Sequence, residues 1–283
     1  MQQGGVMAAD MVAANSGQIL LGTVFGGIAL VMLIESMAPL RAEPKAPLLR
    51  WASNLTLTAV DYAVLFGMTP LLLILIAKVI GLENIGLLHR FEVGYFASFV
   101  LTLLCLEFFG YWLHRAYHSV PVLWRIHAVH HSDPEMDATT SHRHHPLEPL
   151  ISTLLIAPIL IGLGSDPLVL LGYNVVHTAV SVLNHGNYTL GQSVDRILQP
   201  FLATPDFHRL HHSAERRYTD SNYSAVLPMF DYLFRTATRC PAEQQKTMAL
   251  GLEYFREPKY TRLDQLLLMP FLPKFSEPAV QAR

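Results

Sequence analysis

Charge is what this chain has least of. Only 15% of its 283 residues are Asp, Glu, Lys or Arg, against roughly 25% in a soluble domain. Hydrophobic residues make up 51%, and the mean hydropathy is +0.31. Both values argue for a membrane protein rather than a large soluble core. The net charge of −2, with no basic stripe interleaved with aromatics, gives no hint of a nucleic-acid partner. Cysteine is nearly absent: Cys105 and Cys240 stand far apart, match no zinc or disulfide spacing, and imply no oxidising compartment. The N-terminal stretch "MQQGGVMAADMVAANSGQ" carries Asp10 but neither Lys nor Arg. It lacks the basic n-region of a cleaved signal peptide, so the first apolar run is expected to be retained as an anchor.

Long apolar runs are what the chain has instead. Ile19 to Met37, Leu55 to Ile80 and Val93 to Leu113 are each about long enough to cross a ~30 Å hydrocarbon layer. A fourth region, Leu150 to Leu183, is broken by "GLGSDP" at 162–167. Its pieces, roughly 12 and 16 residues, are short for a full span and read as a helical hairpin entering from one side. Arg41, Lys45 and Arg50 lie between the first two spans, Arg115, Arg125 and Arg143 after the third, and Arg196, Arg209, Arg216 and Arg217 after the hairpin. The loop between the second and third spans holds Lys78 and Arg90 against Glu83 and Glu92. The positive-inside rule then places the N-terminus outside and the arginine-rich loops in the cytoplasm. The expected fold is an all-α transmembrane bundle of about three spans plus a hairpin, with a cytoplasmic, histidine-rich helical cap. Residues 1–92 would form an N-terminal transmembrane region, 93–240 a catalytic region including the hairpin at 150–183, and 241–283 a C-terminal tail. Its stretch "LDQLLLMPFL" reads as interfacial.

Histidine is concentrated in three packets: "HRAYH" (114–118), "HAVHH" (127–131) and "HRLHH" (208–212). Residues at i, i+3 and i+4 share a helical face, so each packet aims two or three imidazoles at one point. Neutral imidazole is a common transition-metal ligand. A structural zinc site closes with four ligands and a catalytic one usually uses three. His114, His118, His127, His130, His131, His208, His211 and His212 exceed either number and suggest two metals. Zinc-peptidase chemistry is disfavoured because no packet supplies the glutamate of H-E-x-x-H. Bis-histidine haem ligation and metal carriage remain non-enzymatic alternatives. A lone histidine such as His89 or His142 is read as an ordinary hydrogen-bonded residue.

The spacings HxxxH, HxxHH and HxxHH after membrane spans resemble the fatty acid hydroxylase/sterol desaturase superfamily of integral-membrane di-iron oxygenases. So does the surrounding text: "EFFGYWLHRAYH" (107–118), "LWRIHAVHHSD" (123–133), "RHHPLE" (143–148), "NHGNY" (184–188), "TPDFHRLHHS" (204–213) and "TDSNY" (219–223). The similarity runs from about Phe99 to Thr236. It implies an O2-dependent enzyme hydroxylating a C–H bond of a membrane lipid, with two iron ions held mainly by histidine. Zinc would be a purification substitute. Desaturation on the same metal centre, or a non-oxidative metal-dependent lipid reaction, is the alternative. Fatty acyl chain, sterol, hopanoid, carotenoid and lipid head group all fit as substrate. No haem-binding or flavin domain is visible, so electrons are expected from a separate donor protein. The short cap is similar to that of bacterial members, which implies an inner-membrane location.

The resemblance also carries His185 over as a ligand, at the position of "NHGNY". His177 and His145 are further candidates. The position four residues before His185, sometimes histidine in the family, is Ser181 here. Glu107 lies on the helical face of His114 and His118, as a support for a ligand or a partner of an arginine. Asp133, Asp220 and Asn222 stand beside the packets and could fix imidazole tautomers. Asp61, inside the second span, reads as a helix–helix polar contact or a substrate-channel group. The family often has W-D-x-L-F-G-T near the end, where this chain has "FDYLFRT" (230–236).

Overall fold

The computed structural model describes residues 12, 14–42, 47–80 and 86–276. Asp10, Lys45 and Glu83 lie outside the described residues, and so does their part in the readings above. Seven helices position the site: α1 (Ser16–Met37), α2 (Leu48–Ile80), α3 (Tyr95–Ser119), α4 (Pro121–His131), α5 (Leu147–Leu163), α6 (Pro167–His185) and α7 (Pro205–His211). Short helical turns connect them and build the cap. The helical membrane bundle expected from the apolar runs is what the structure has. α1, α3 and α6 are long and apolar enough to cross a membrane, and α5 is a shorter apolar helix.

Local sequence sets the helix boundaries that matter for the site. Pro121 cannot continue the preceding helix and is tolerated at a first helical position. It breaks α3 from α4 at Val120, turning the second histidine packet back beside the first. Asp166 and Thr204 cap α6 and α7: their side chains accept from the amides of Leu168 and Phe207, at 2.8 and 3.2 Å. Each cap is followed by a proline at the first helical position.

The helices of the hairpin, α5 and α6, are longer than its apolar pieces suggested, at 17 and 19 residues. Its tip meets the start of α3: the Thr102 and Ser165 hydroxyls are 2.7 Å apart. Gly86, with φ of +135°, approaches Gly164 so closely that a Cβ there would lie 2.3 Å from the Gly164 Cα. The tip therefore sits at the end of the bundle opposite the histidines, and α6, at 19 residues, qualifies as a span by itself. Apolar content understated both helices because their histidine-side ends are covered by protein rather than lipid. Glu148 in the first turn of α5 and His185 at the end of α6 are buried, polar and helical.

Packing closes the bundle around this end. Val24, Ile28 and Val31 of α1 pack with Tyr62 of α2 and Val182 of α6 in one buried cluster. Gly27 of α1 faces Val182, at a distance where a Cβ would make an ordinary contact of 3.7 Å. The C-terminal segment folds back on α4, where Leu252, Phe255, Leu266 and Met269 pack on Ala128 and Val129. The stretch read as interfacial is thus half core: Leu266 and Met269 are buried while Leu268 and Phe271 stay exposed. Leu30, Leu33, Leu101, Leu154 and Leu155 are exposed on the helices that qualify as spans or run beside them, as lipid contact requires.

Three arginines counted as loop charges are structural. Arg50 donates to Asp133 and Asp137. Arg143 donates to the Val129 carbonyl, Asn54 Oδ1 and Ser132 Oγ at 3.1, 2.7 and 2.7 Å. Arg209 donates to Asp206, Gln245 and the Tyr188 carbonyl. All three are buried, because a guanidinium carries enough donors to tie several segments together without water.

Candidate metal centre

Nine imidazoles meet between α3, α4, α6 and α7 in two groups. Group A contains His114, His118, His127, His131 and His211; group B contains His130, His185, His208 and His212. In each group the nitrogens available for ligation lie within 4.8 Å of one another. The packets do not each aim at one point, as their spacing suggested. In HAVHH the i, i+4 pair His127 and His131 joins group A and His130 joins group B. In HRLHH the i, i+4 pair His208 and His212 joins group B and His211 joins group A. Residues four apart on a helix differ by about 40° in direction, whereas the intervening i+3 residue points to the other side of the first. One turn therefore serves two neighbouring centres.

Hydrogen-bond partners fix which nitrogen is bare. A carbonyl or carboxylate only accepts, so a nitrogen facing one carries the proton. His114 Nδ1 faces the Tyr223 carbonyl at 2.6 Å, and His211 Nδ1 faces that of Ser221 at 2.7 Å. His127 Nδ1 faces Glu148 Oε1 at 2.8 Å, and His118 Nδ1 faces Asp220 Oδ1 at 3.3 Å. Four Nε2 lone pairs in group A are thereby left bare and pointed inward. His114 Nε2 is 3.0 Å from both His127 Nε2 and His211 Nε2. In group B, His185 Nδ1 faces the Ser181 carbonyl at 2.6 Å, and its Nε2 lies 3.3 and 3.2 Å from those of His130 and His208.

The opposed lone pairs of group A repel at such distances unless a cation lies between them. Protonation does not relieve the repulsion: burial pushes the His127 imidazole down to about 3. It also holds His131 and His211 well below their ordinary value, with neighbouring imidazoles adding to the effect. A metal ion does. Nitrogens about 2.1 Å from one ion and at right angles across it are about 3.0 Å apart, the spacing found here.

The other candidates have different places. His145 is turned away: its Nε2 meets the Leu267 carbonyl at 3.1 Å and its Nδ1 accepts from the Leu147 amide at 3.2 Å. It ties the C-terminal segment to the hairpin. His177 packs against Tyr173 and belongs to neither group. Asp220 meets an imidazole; Asp133 does not. Asp133 is buried and accepts from Arg50, Asn54 and Thr140 at 2.8, 3.1 and 2.7 Å. Burial pushes its carboxyl up, but the Arg50 and Arg143 guanidiniums outweigh that and hold it well below the usual range. Glu107 supports no ligand and pairs with no arginine among the described residues. It accepts from the Val226 and Leu227 amides at 2.9 and 3.4 Å and from the Tyr173 hydroxyl at 3.1 Å, anchoring the loop after α7. Asp61 Oδ2 lies 3.9 Å from His144 Nδ1, a contact from α2 to the segment before α5.

Asn222 acts through its neighbours rather than on an imidazole. Its φ of +54° is a left-handed conformation that Asn tolerates better than most residues. Its side chain donates to the Phe207 and Thr238 carbonyls at 2.8 and 3.1 Å and accepts from the Thr238 amide at 2.7 Å. The residues on either side, Ser221 and Tyr223, supply the two carbonyls that orient His211 and His114.

Sequence reasoning missed Glu148, although "RHHPLE" contains it; a carboxylate in the first turn of an apolar helix beside two histidines was the available signal. It also missed His144, which stacks on His130 with ring centroids 4.6 Å apart, and Asp231. The Asp231 carboxylate accepts from the Tyr223 and Ser224 amides at 2.9 and 2.8 Å, securing the same loop as Asn222. Backbone carbonyls such as Ser181 carry no residue-type signal at all.

A helical membrane bundle with two largely buried imidazole groups, each able to hold a metal ion, defines a membrane protein with a candidate histidine-cluster metal centre. Comparison with known proteins makes the class specific. Residues 99–236 match the fatty acid hydroxylase family, and the chain belongs to the fatty acid hydroxylase/sterol desaturase superfamily. It is 34% identical over 145 residues to the very-long-chain aldehyde decarbonylase GL1-6 of Oryza sativa subsp. indica, covering 48% of this chain and 22% of that protein. It is 32% identical over 141 residues to the alkylglycerol monooxygenase of Homo sapiens, covering 48% of this chain and 29% of that protein. The chain thus spans less than a third of the length of these relatives. No solved structure matches.

Proposed function

We propose that this protein is a membrane-bound, O2-dependent oxygenase that hydroxylates a C–H bond of a lipid, using iron in both histidine groups. The observation that carries the proposal is the set of bare, inward-facing Nε2 lone pairs in group A, beside a second buried group of four imidazoles, within the segment that matches the fatty acid hydroxylase family. Group A would hold one ion through His114, His118, His127, His131 and His211, and group B the other through His130, His185, His208 and His212. Bound iron supplies one-electron redox chemistry, which redox-inert zinc lacks.

The chain's own residues do the rest. Glu148, Asp220 and the Ser221, Tyr223 and Ser181 carbonyls hold the protons on Nδ1 and orient the rings. Glu107, Asn222 and Asp231 fix the loop that carries two of those carbonyls. The bundle keeps water away from both groups, since every imidazole is buried except that of His114, which is half-buried. With the arginine-bearing loops in the cytoplasm, a lipid would reach the site from the inner leaflet, between the spans. A separate donor protein would deliver electrons from the cytoplasmic side.

The aldehyde decarbonylase relative favours a second reading, in which the substrate is a very-long-chain aldehyde and the reaction is not a hydroxylation. Supplying 18O2 to the reconstituted protein with a reductant, and reading product masses from a membrane lipid extract, separates the two. Hydroxylation gives a lipid heavier by one 18O atom. Oxygen drawn from water, or full turnover under argon, refutes it.

A further inference from the structure

The two histidine groups are held very differently. In group A, four of five imidazoles, His114, His118, His127 and His211, have Nδ1 against a carbonyl or carboxylate. In group B only His185 does, against the Ser181 carbonyl. Nδ1 of His130, Nδ1 of His208 and both nitrogens of His212 are buried with no hydrogen-bond partner among the described residues. The acceptors of group A are themselves fixed: Asn222 and Asp231 pin the backbone on either side of the Tyr223 carbonyl, and Arg216 pairs with Asp220 at 3.4 Å.

An acceptor on the non-ligating nitrogen fixes the tautomer, orients the ring and raises its basicity, and loss of one such partner typically costs 10- to 100-fold in metal affinity. Group A also offers five nitrogens to group B's four. Both differences act in the same direction. Three rings of group B must be ordered by the ion itself, which lowers the net gain on binding.

We propose that the two centres are unequal: group A is the high-affinity site and fills first, while group B is a weaker, exchangeable site. The inference rests on reading both groups as metal sites, but not on the reaction they perform.

The test is a titration of the metal-free, detergent-solubilised full chain with Zn2+ against a competing chelator, followed calorimetrically. Two steps are expected, the first at least about tenfold tighter, as the partner asymmetry implies. Asp220, whose side chain is 41% exposed, can be removed without opening the core. Asp220→Ala should weaken the first step by about tenfold or more and leave the second unchanged. His208→Ala should abolish the second step and keep the first. Two steps of equal affinity overturn the ordering, as does an Asp220→Ala that spares the first step or weakens the second as much. A wild-type chain that binds fewer than two equivalents overturns the two-site reading itself, which is a different result.

Discussion

Arg50 Nη1 donates to Asp133 Oδ2 at 2.8 Å, joining the first turn of α2 to the residue two places beyond His131. The pair is buried on both sides, and Asp133 also takes donors from Asn54 and Thr140. Breaking a buried pair by deleting one partner costs about 3–5 kcal/mol, and loss of Arg50 would leave Asp137 without its arginine and Asp133 with Arg143 alone, 3.9 Å away. Arg50→Leu is therefore expected to lower the thermal unfolding midpoint in detergent by many degrees. An unchanged midpoint would show that the surrounding donors suffice.

Glu148→Gln is expected to act on metal binding. The carboxylate at 2.8 Å from His127 Nδ1 fixes that ring, and losing its charge should reduce metal affinity about 10- to 100-fold. Elemental analysis after dialysis against a chelator reads this directly. Retention equal to wild type would reduce Glu148 to a packing role.

Glu107→Gln should do the opposite. Its partners are two amides and a tyrosine hydroxyl rather than an imidazole. The variant should keep its metal and lose about 1–3 kcal/mol of stability from an imperfectly satisfied buried acceptor site. Metal loss without destabilisation would reinstate a direct link to the ligands.

Arg235 has φ of +58° and is exposed, at the position where the related motif has glycine. A left-handed residue with a Cβ carries about 1–2 kcal/mol of strain, and glycine gives back part of that as unfolded-state entropy. Arg235→Gly should raise the unfolding midpoint slightly and leave metal content unchanged. A clear drop in the midpoint would mean that the arginine side chain contributes more than its backbone costs.

What was legible in the sequence was set by short-range geometry. HxxxH and HxxHH spacing marked the imidazoles, and the apolar runs marked the bundle. The assignment of each imidazole to a group was not legible, because it depends on where the fold sets the packets of α3, α4, α6 and α7 against one another. His130 leaves its own packet for group B, and His211 leaves its packet for group A. Nor could spacing separate Asp220, which reaches His118, from Asp133, which turns to Arg50. Both are short carboxylates next to a packet, and only the tertiary position of α2 distinguishes them. The Ser221, Tyr223 and Ser181 carbonyls were invisible in principle, since every residue has one.

The central claim, two metal ions each held by its own histidine group, is tested most directly by counting metal per chain in wild type and in two paired variants. His114→Ala with His211→Ala removes two nitrogens from group A, and His185→Ala with His208→Ala removes two from group B. Protein produced with iron supplied should carry close to two equivalents in wild type and close to one in each paired variant. A single equivalent that survives both paired variants would contradict two separate centres built from these imidazoles.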